Sequence, residues 1–216
     1  MFYEGDPRDP GNRSMEGFRG TPWARFLSSR AWGKFLAEIT DLEYVVAQYD
    51  GEVACTDAHL GKLMRALEDL GLTEETLVLV TSDHGELLGE HGIYFDHHGL
   101  YEGDVHVPLV MRCPGRLPRG RRIRGLVQHM DIVPTVLEAL GLPVPETVEG
   151  ASLLPMVAEG KGGYDQVYTV ENTRMCKRSL RTGEWKLIEA LRPDYFGNPA
   201  GWLELYNLRR DPREEE

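Results

Sequence analysis

Residues 76–102 read TLVLVTSDHGELLGEHGIYFDHHGLYE, and this stretch decides the fold. The aliphatic run Leu77 to Val80 ends in the polar turn Thr81-Ser82-Asp83-His84-Gly85. Such a run predicts a strand covered on both faces that delivers side chains at its C-terminal end. In open α/β sheets that end is where ligands bind. Five of the seven histidines (His84, His91, His97, His98 and His106) fall between 84 and 106, interleaved with Asp83, Glu86, Glu90, Asp96 and Glu102. Imidazole and carboxylate donors concentrated beside one strand end have the composition of a metal site.

Upstream of the strand, a helix is expected from about Thr40 or Asp41. Its later part carries Val53, Leu60, Leu63, Leu67 and Leu70 as an apolar stripe, and Gly71 stops it. Helix, the short loop 72–75 and strand together make a unit of the α/β kind. Residues 1–40 are rich in turn pairs such as Asp9-Pro10 and Thr21-Pro22, show no sustained period, and read as irregular. Downstream, Val105 to Met111 reads as a second strand. Pro108 there cannot donate to a sheet, so it marks a strand start, an edge or a bulge. Leu126 to Met130 reads as a short third strand, with Asp131 placed to cap a helix from Ile132 to Leu140.

The pattern then changes. Residues 143–164 are rich in Pro, Gly and acidic side chains and read as a surface connection. Val167–Val170, Arg178–Arg181, Trp185–Ile188 and Leu203–Tyr206 alternate in polarity between turns, as strands of an antiparallel sheet do. The expected organisation is an α/β portion over 1–142, the connection 143–164, and a small α+β subdomain with an antiparallel sheet over 165–216.

Composition narrows the function. A chain of 216 residues with 41% hydrophobic content can build a core. With 24 basic against 35 acidic residues, net −11, it is not expected to bind nucleic acid, which needs a clustered basic face. The arginine-rich stretch 112–124 is broken by prolines and glycines and reads as a solvated loop. Cys55, Cys113 and Cys176 are scattered and suggest neither a zinc knuckle nor a disulfide framework. No apolar run is long enough to span a bilayer, and the first residues lack the regions of a signal peptide, so localisation stays open.

Five stretches carry a resemblance in a fixed order. They are Tyr49-Asp50-Gly51-Glu52-Val53 with Leu60-Gly61-Lys62-Leu63, then TLVLVTSDHGELLGEHG, LYEGDVHVPLVMRCPG, HMDIVPTVLEALGL, and SLRTGEWKLI with ELYNLRRDP. Together they resemble the later half of a sulfatase of the alkaline-phosphatase-like superfamily. The resemblance implies part of an α/β/α sandwich followed by the small α+β subdomain. It also implies that Asp83 and His84 are two ligands of a divalent metal, most often calcium, with zinc or manganese as the alternative. The family usually places a sulfate-contacting lysine four residues before the aromatic Tyr101, where this sequence has His97. His98 is adjacent and could exchange roles with it. His91 and His106 read as a turn residue and a strand flank, and His59 and His129 need no ligand.

The family's nucleophile, a Cys or Ser in C/S-x-P-x-R that matures to formylglycine, has no match at Cys55, Cys113 or Cys176. The expectation is therefore a C-terminal fragment, inactive alone and prone to self-association. Its parent would act on a sulfate ester, as a small molecule or a sulfated glycan. A phosphodiesterase or phosphonate monoester hydrolase of the same superfamily and a non-catalytic module are the other readings. Asp83 and His84 are expected to project from the strand end into an open cleft, with His97 or His98 on the same side.

Overall fold

A computed structural model describes residues 2–29, 31–160 and 162–216. In chain order the elements begin with helices α1 (Glu16–Arg19), α2 (Pro22–Ser28), α3 (Ala31–Glu38) and α4 (Leu42–Asp69). Strands β1 (Val78–Thr81), β2 (Leu87–Leu88) and β3 (Tyr94–Asp96) follow, then α5 (Glu102–Val105), β4 (Leu109–Arg112), α6 (Ile132–Ala139) and α7 (Leu154–Glu159). The chain closes with β5 (Gln166–Glu171), β6 (Lys177–Thr182), β7 (Trp185–Ala190) and β8 (Leu203–Asn207). It divides into two compact units, Met1–Thr73 with His84–His98, and Glu74–Asp83 with Gly99–Glu216.

The first unit corrects the reading of residues 1–40 as irregular. Three helices of 4, 7 and 8 residues fill much of that span, too short to show a period. The turn pairs are their punctuation: Thr21 caps α2 by accepting from the Ala24 amide, and Pro22 occupies the first turn, where its missing N–H costs nothing. Met15, Phe18, Leu27, Leu36, Ile39 and Phe95 form the buried core, with Leu42, Tyr44, Val45, Leu88 and Tyr94 packed against it. Asp41 caps α4 by accepting from the Glu43 amide, and α4 runs 28 residues. Its apolar stripe remains largely exposed, as at Val53, Leu63 and Leu70.

In the second unit β1 pairs antiparallel with β4 through Val78↔Arg112, Leu79↔Met111, Val80↔Val110 and Thr81↔Leu109. Pro108 sits just before the ladder, where no sheet donor is needed. Among the described residues β1 has this one partner, and its four residues are half-buried, which corrects the expectation of a strand covered on both faces. An apolar run encodes how much cover a strand takes, not which segment supplies it. Residues 126–130 are not a strand: Leu126 makes a single bridge to Tyr164, and His129–Asp131 is a 3₁₀ turn leading into α6. Strands β5 to β8 form the expected antiparallel sheet, in the order β5-β6-β7-β8.

That sheet is unusual in polarity. Tyr168, Leu180 and Leu205 lie across its exposed face. Its other face buries Lys177, Ser179, Lys186 and Ile188. Lys186 Nζ bonds Glu102 at 3.1 Å and Glu214 at 3.0 Å, and Lys177 Nζ bonds Glu204 at 2.8 Å and Asp194 at 3.4 Å. Charges out of water persist only when paired in this way.

Candidate functional site

The unit containing His84–His98 builds its cluster on the β2–β3 hairpin. Leu87 pairs with Asp96 in an antiparallel register, so the next residues outward, Glu86 and His97, come beside each other. Two apolar anchors fix this open end: Leu87 is buried, and Phe95 packs with its ring 5.6 Å from that of Phe18. Phe95 takes φ 57 and His91 φ 56, left-handed conformations uncommon for side chains of this size. His91 lies in the 3₁₀ turn Glu90–Gly92 that reverses the chain, and Phe95 is the extra residue of a bulge between the pairs Leu87↔Asp96 and Leu88↔Tyr94, which sets the register that brings Glu86 beside His97.

His97 Nδ1 lies 3.3 Å from Glu86 Oε2. The His84 ring stacks on that of His97, with centroids 3.8 Å apart and planes 26° from parallel. His84 Nδ1 is 2.7 Å from the Gly85 carbonyl oxygen. A carbonyl only accepts, so the proton is on Nδ1, and Nε2 carries the lone pair a metal would take. Asp96 is a second hub. It is buried, its Oδ1 accepts from the His97 amide at 2.8 Å, and His98 Nε2 is 3.2 Å from the same oxygen. The His97 and His98 rings are 4.7 Å apart. Burial lifts the Glu86 carboxyl above its ordinary value, against the hydrogen bond and charge of His97.

Donor atoms of His84, Glu86 and His97 lie within 4.8 Å of one another, and so do those of Asp96, His97 and His98. Two imidazoles with a carboxylate fit a divalent ion and suit zinc or manganese at least as well as calcium, which takes oxygen donors. Asp83 belongs to the other unit. There Ser82 Oγ donates to Asp83 Oδ1 at 3.4 Å, and His129 Nε2 bonds the Ser82 carbonyl oxygen at 2.8 Å.

Of the residues named from the sequence, His84, His97 and His98 are gathered in one cluster. Glu86 and Asp96 join it as partners the sequence reading left unassigned. The signal that would have found them is the Leu87↔Asp96 pairing, which only a folded hairpin supplies. His106 stays outside the cluster, with Nδ1 3.4 Å from Glu102 Oε2.

A family model described as Sulfatase matches residues 5–142. The chain belongs to the sulfatase family. A second model, N-sulphoglucosamine sulphohydrolase, C-terminal, matches residues 89–216. Arylsulfatase K of Rattus norvegicus is 34% identical over 194 residues, 84% of this chain and 33% of its own length. This sulfatase chain thus spans about a third of the length of the curated relatives it matches. Among solved structures, one in complex with its substrate D-glucosamine-2-N,6-O-disulfate has a TM-score of 0.72 at 27% identity, covering 91% of this chain and 40% of that one. The phosphonate monoester hydrolase of Agrobacterium radiobacter has a TM-score of 0.70 at 26% identity, covering 98% and 46%. The fold is alkaline-phosphatase-like, with the four-stranded antiparallel sheet at its C-terminal end. Sulfatases generally use a divalent metal.

Proposed function

We propose that this chain is the later part of a sulfatase whose parent hydrolyses sulfate esters. In this reading Asp83 and His84 hold a divalent metal, calcium first, and His97 and His98 stand at the leaving oxygen. The observation that carries it is the His84–Glu86–His97 group, with His84 stacked on His97 in a chain of the sulfatase family. When bound, the metal supplies positive charge against the sulfate and orients the attacking group. The rest falls to the chain's own side chains. Glu86 accepts a hydrogen bond from His97 Nδ1–H and so fixes the ring plane; as the imidazolium, His97 then presents Nε2–H, whose proton passes to the leaving oxygen and leaves the neutral ring. Asp96 accepts from His98 Nε2–H and holds that ring alongside, where its imidazolium form would present Nδ1–H as a second donor. The formylglycine nucleophile belongs to the part of the parent not represented in these residues.

The relative solved with D-glucosamine-2-N,6-O-disulfate supports a sulfated sugar as substrate class. We also keep the division into 1–142, the connection 143–164 and the subdomain 165–216. A second reading, hydrolysis of phosphonate or phosphate esters with zinc or manganese, is supported by the likeness to the phosphonate monoester hydrolase and by the imidazole donors of the cluster.

The test compares turnover of an aryl sulfate and an aryl phosphonate by the parent protein, with its metal content measured and Asp83→Ala alongside. Sulfate turnover with calcium, abolished in Asp83→Ala, is the expected result, and phosphonate turnover with zinc or manganese would favour the second reading. The 216-residue chain alone is expected to turn over neither ester, because it lacks the attacking group. Turnover by the chain that Asp83→Ala abolished would overturn the fragment reading.

A further inference from the structure

Within the second unit, the peptide just beyond β1 is held by a residue that neither the motif nor the cluster accounts for. The last ladder pair of β1 is Thr81↔Leu109, so Ser82 and Asp83 lie past the sheet's own support. His129, 47 residues further along, reaches the Ser82 carbonyl oxygen with Nε2 at 2.8 Å. The acceptor is a carbonyl, so Nε2 carries the proton and donates.

His129 is itself fixed from behind. It opens the 3₁₀ turn His129–Asp131, and Asp131 is fully buried. Asp131 Oδ2 accepts from the Gln128 amide at 2.7 Å, and Oδ1 accepts from the Ala151 amide at 2.9 Å and from the Tyr164 hydroxyl at 2.7 Å. The Thr135 hydroxyl donates to the Asp131 carbonyl and accepts from the Leu153 amide. The chain at 150 passes so close that a Cβ on Gly150 would lie 2.0 Å from the Met130 carbonyl oxygen. Three separate segments, 128–135, 150–153 and Tyr164, therefore lock one turn, and the turn presents an exposed ring to the Ser82 peptide.

We propose that His129 is a positioning residue, which holds the Ser82–Asp83 peptide in the orientation that Asp83 needs as a metal ligand, with the Asp131 clamp as its rigid base. This rests on the assignment of Asp83 as a ligand under the proposed function. Groups that orient ligands from outside the coordination shell typically contribute about 10- to 100-fold to metal affinity.

The test uses the ¹⁵N-labelled 216-residue chain with manganese(II) alone as probe, titrated by loss of the free-ion EPR signal. In His129→Ala the affinity is expected to fall roughly ten-fold. The Asp83 amide nitrogen, which shares the peptide group of the Ser82 carbonyl, should shift upfield in the metal-free spectrum, with circular dichroism and thermal midpoint unchanged. His129→Gln, whose amide N–H can reach the same carbonyl, should restore most of both. If Ala and Gln lose affinity equally, or if His129→Ala keeps wild-type shift and affinity while Asp83→Ala loses binding, the positioning role is overturned and the ligand assignment stands. If Asp83→Ala binds manganese like wild type, the ligand assignment itself falls, and the inference with it.

Discussion

The two units handle charge in opposite ways. In the second, Lys177 and Lys186 are 1% and 0% exposed, and each is ion-paired to two carboxylates. In the first, Glu86 and His97 keep 22% and 38% of their side-chain surface. His97 lies 3.3 Å from Glu86 and 3.9 Å from Asp96, so the contrast with the lysines rests on exposure rather than on contact length. A fully buried charge must have its partners built in, because leaving it alone costs several kcal/mol. A partly exposed pair such as Glu86 and His97 has water to satisfy it and can exchange that water for an ion or substrate, while Asp96 behind it is buried. Titratable density alone therefore does not distinguish structure from site; desolvation does.

The sharpest way to break this contrast is Lys186→Ala. It leaves Glu102 and Glu214 without their shared cation, and unfolding free energy should fall by about 3–5 kcal/mol in urea denaturation. A loss under ~1 kcal/mol would mean that water enters the network and that burial is not what separates the two units.

His97→Ala should do the reverse. Stability is expected to move by less than about 0.5 kcal/mol, as at an exposed position. Manganese affinity of the chain should drop by about ten-fold, read by the same titration. A stability loss matching that of Lys186→Ala would place the histidine cluster among the structural groups.

The smallest expected effect is in pH dependence. Burial acts to raise the Glu102 carboxyl, but hydrogen bonds from His106 and Arg181 and the charge of Lys186 outweigh it and hold it well below the usual carboxylate range. A depressed carboxylate contributes stability that is complete above its ordinary value of 4.5 and is lost as pH falls through the depressed one. His106 is raised above 6.5, first by its hydrogen bond to Glu102. Its contribution is complete below 6.5 and is lost as pH rises through the raised value. Stability should thus weaken on both sides of an acidic plateau, and His106→Gln should remove only the decline on the alkaline side. A His106→Gln profile that kept the alkaline decline would assign it to another group.

Much of the fold was legible because its signals are local. Asp41 before an apolar period marks the start of α4, and the Thr182-Gly183 turn between alternating segments marks β6 and β7. The helices of residues 16–38 were not legible, since one or two turns leave no period and take their stability from Met15, Phe18 and Leu36 packing together. The segment 126–130 misled for a related reason. Its β-like composition is overruled by the buried Asp131 clamp, whose partners come from residues 151 and 164.

The sequence by itself determined the type of α4, α6 and the four C-terminal strands, the family likeness, and the concentration of donors between 83 and 106, because propensity, capping and motif order are properties of neighbours along the chain. Only the tertiary structure decided which donors meet. The Leu87↔Asp96 register brings Glu86 to His97, and the fold brings His129 to Ser82 across 47 residues of sequence. It also decided which charges are sealed and which stay wet. Both outcomes depend on closing the chain over long separations and removing particular groups from water, and no window of sequence contains that information.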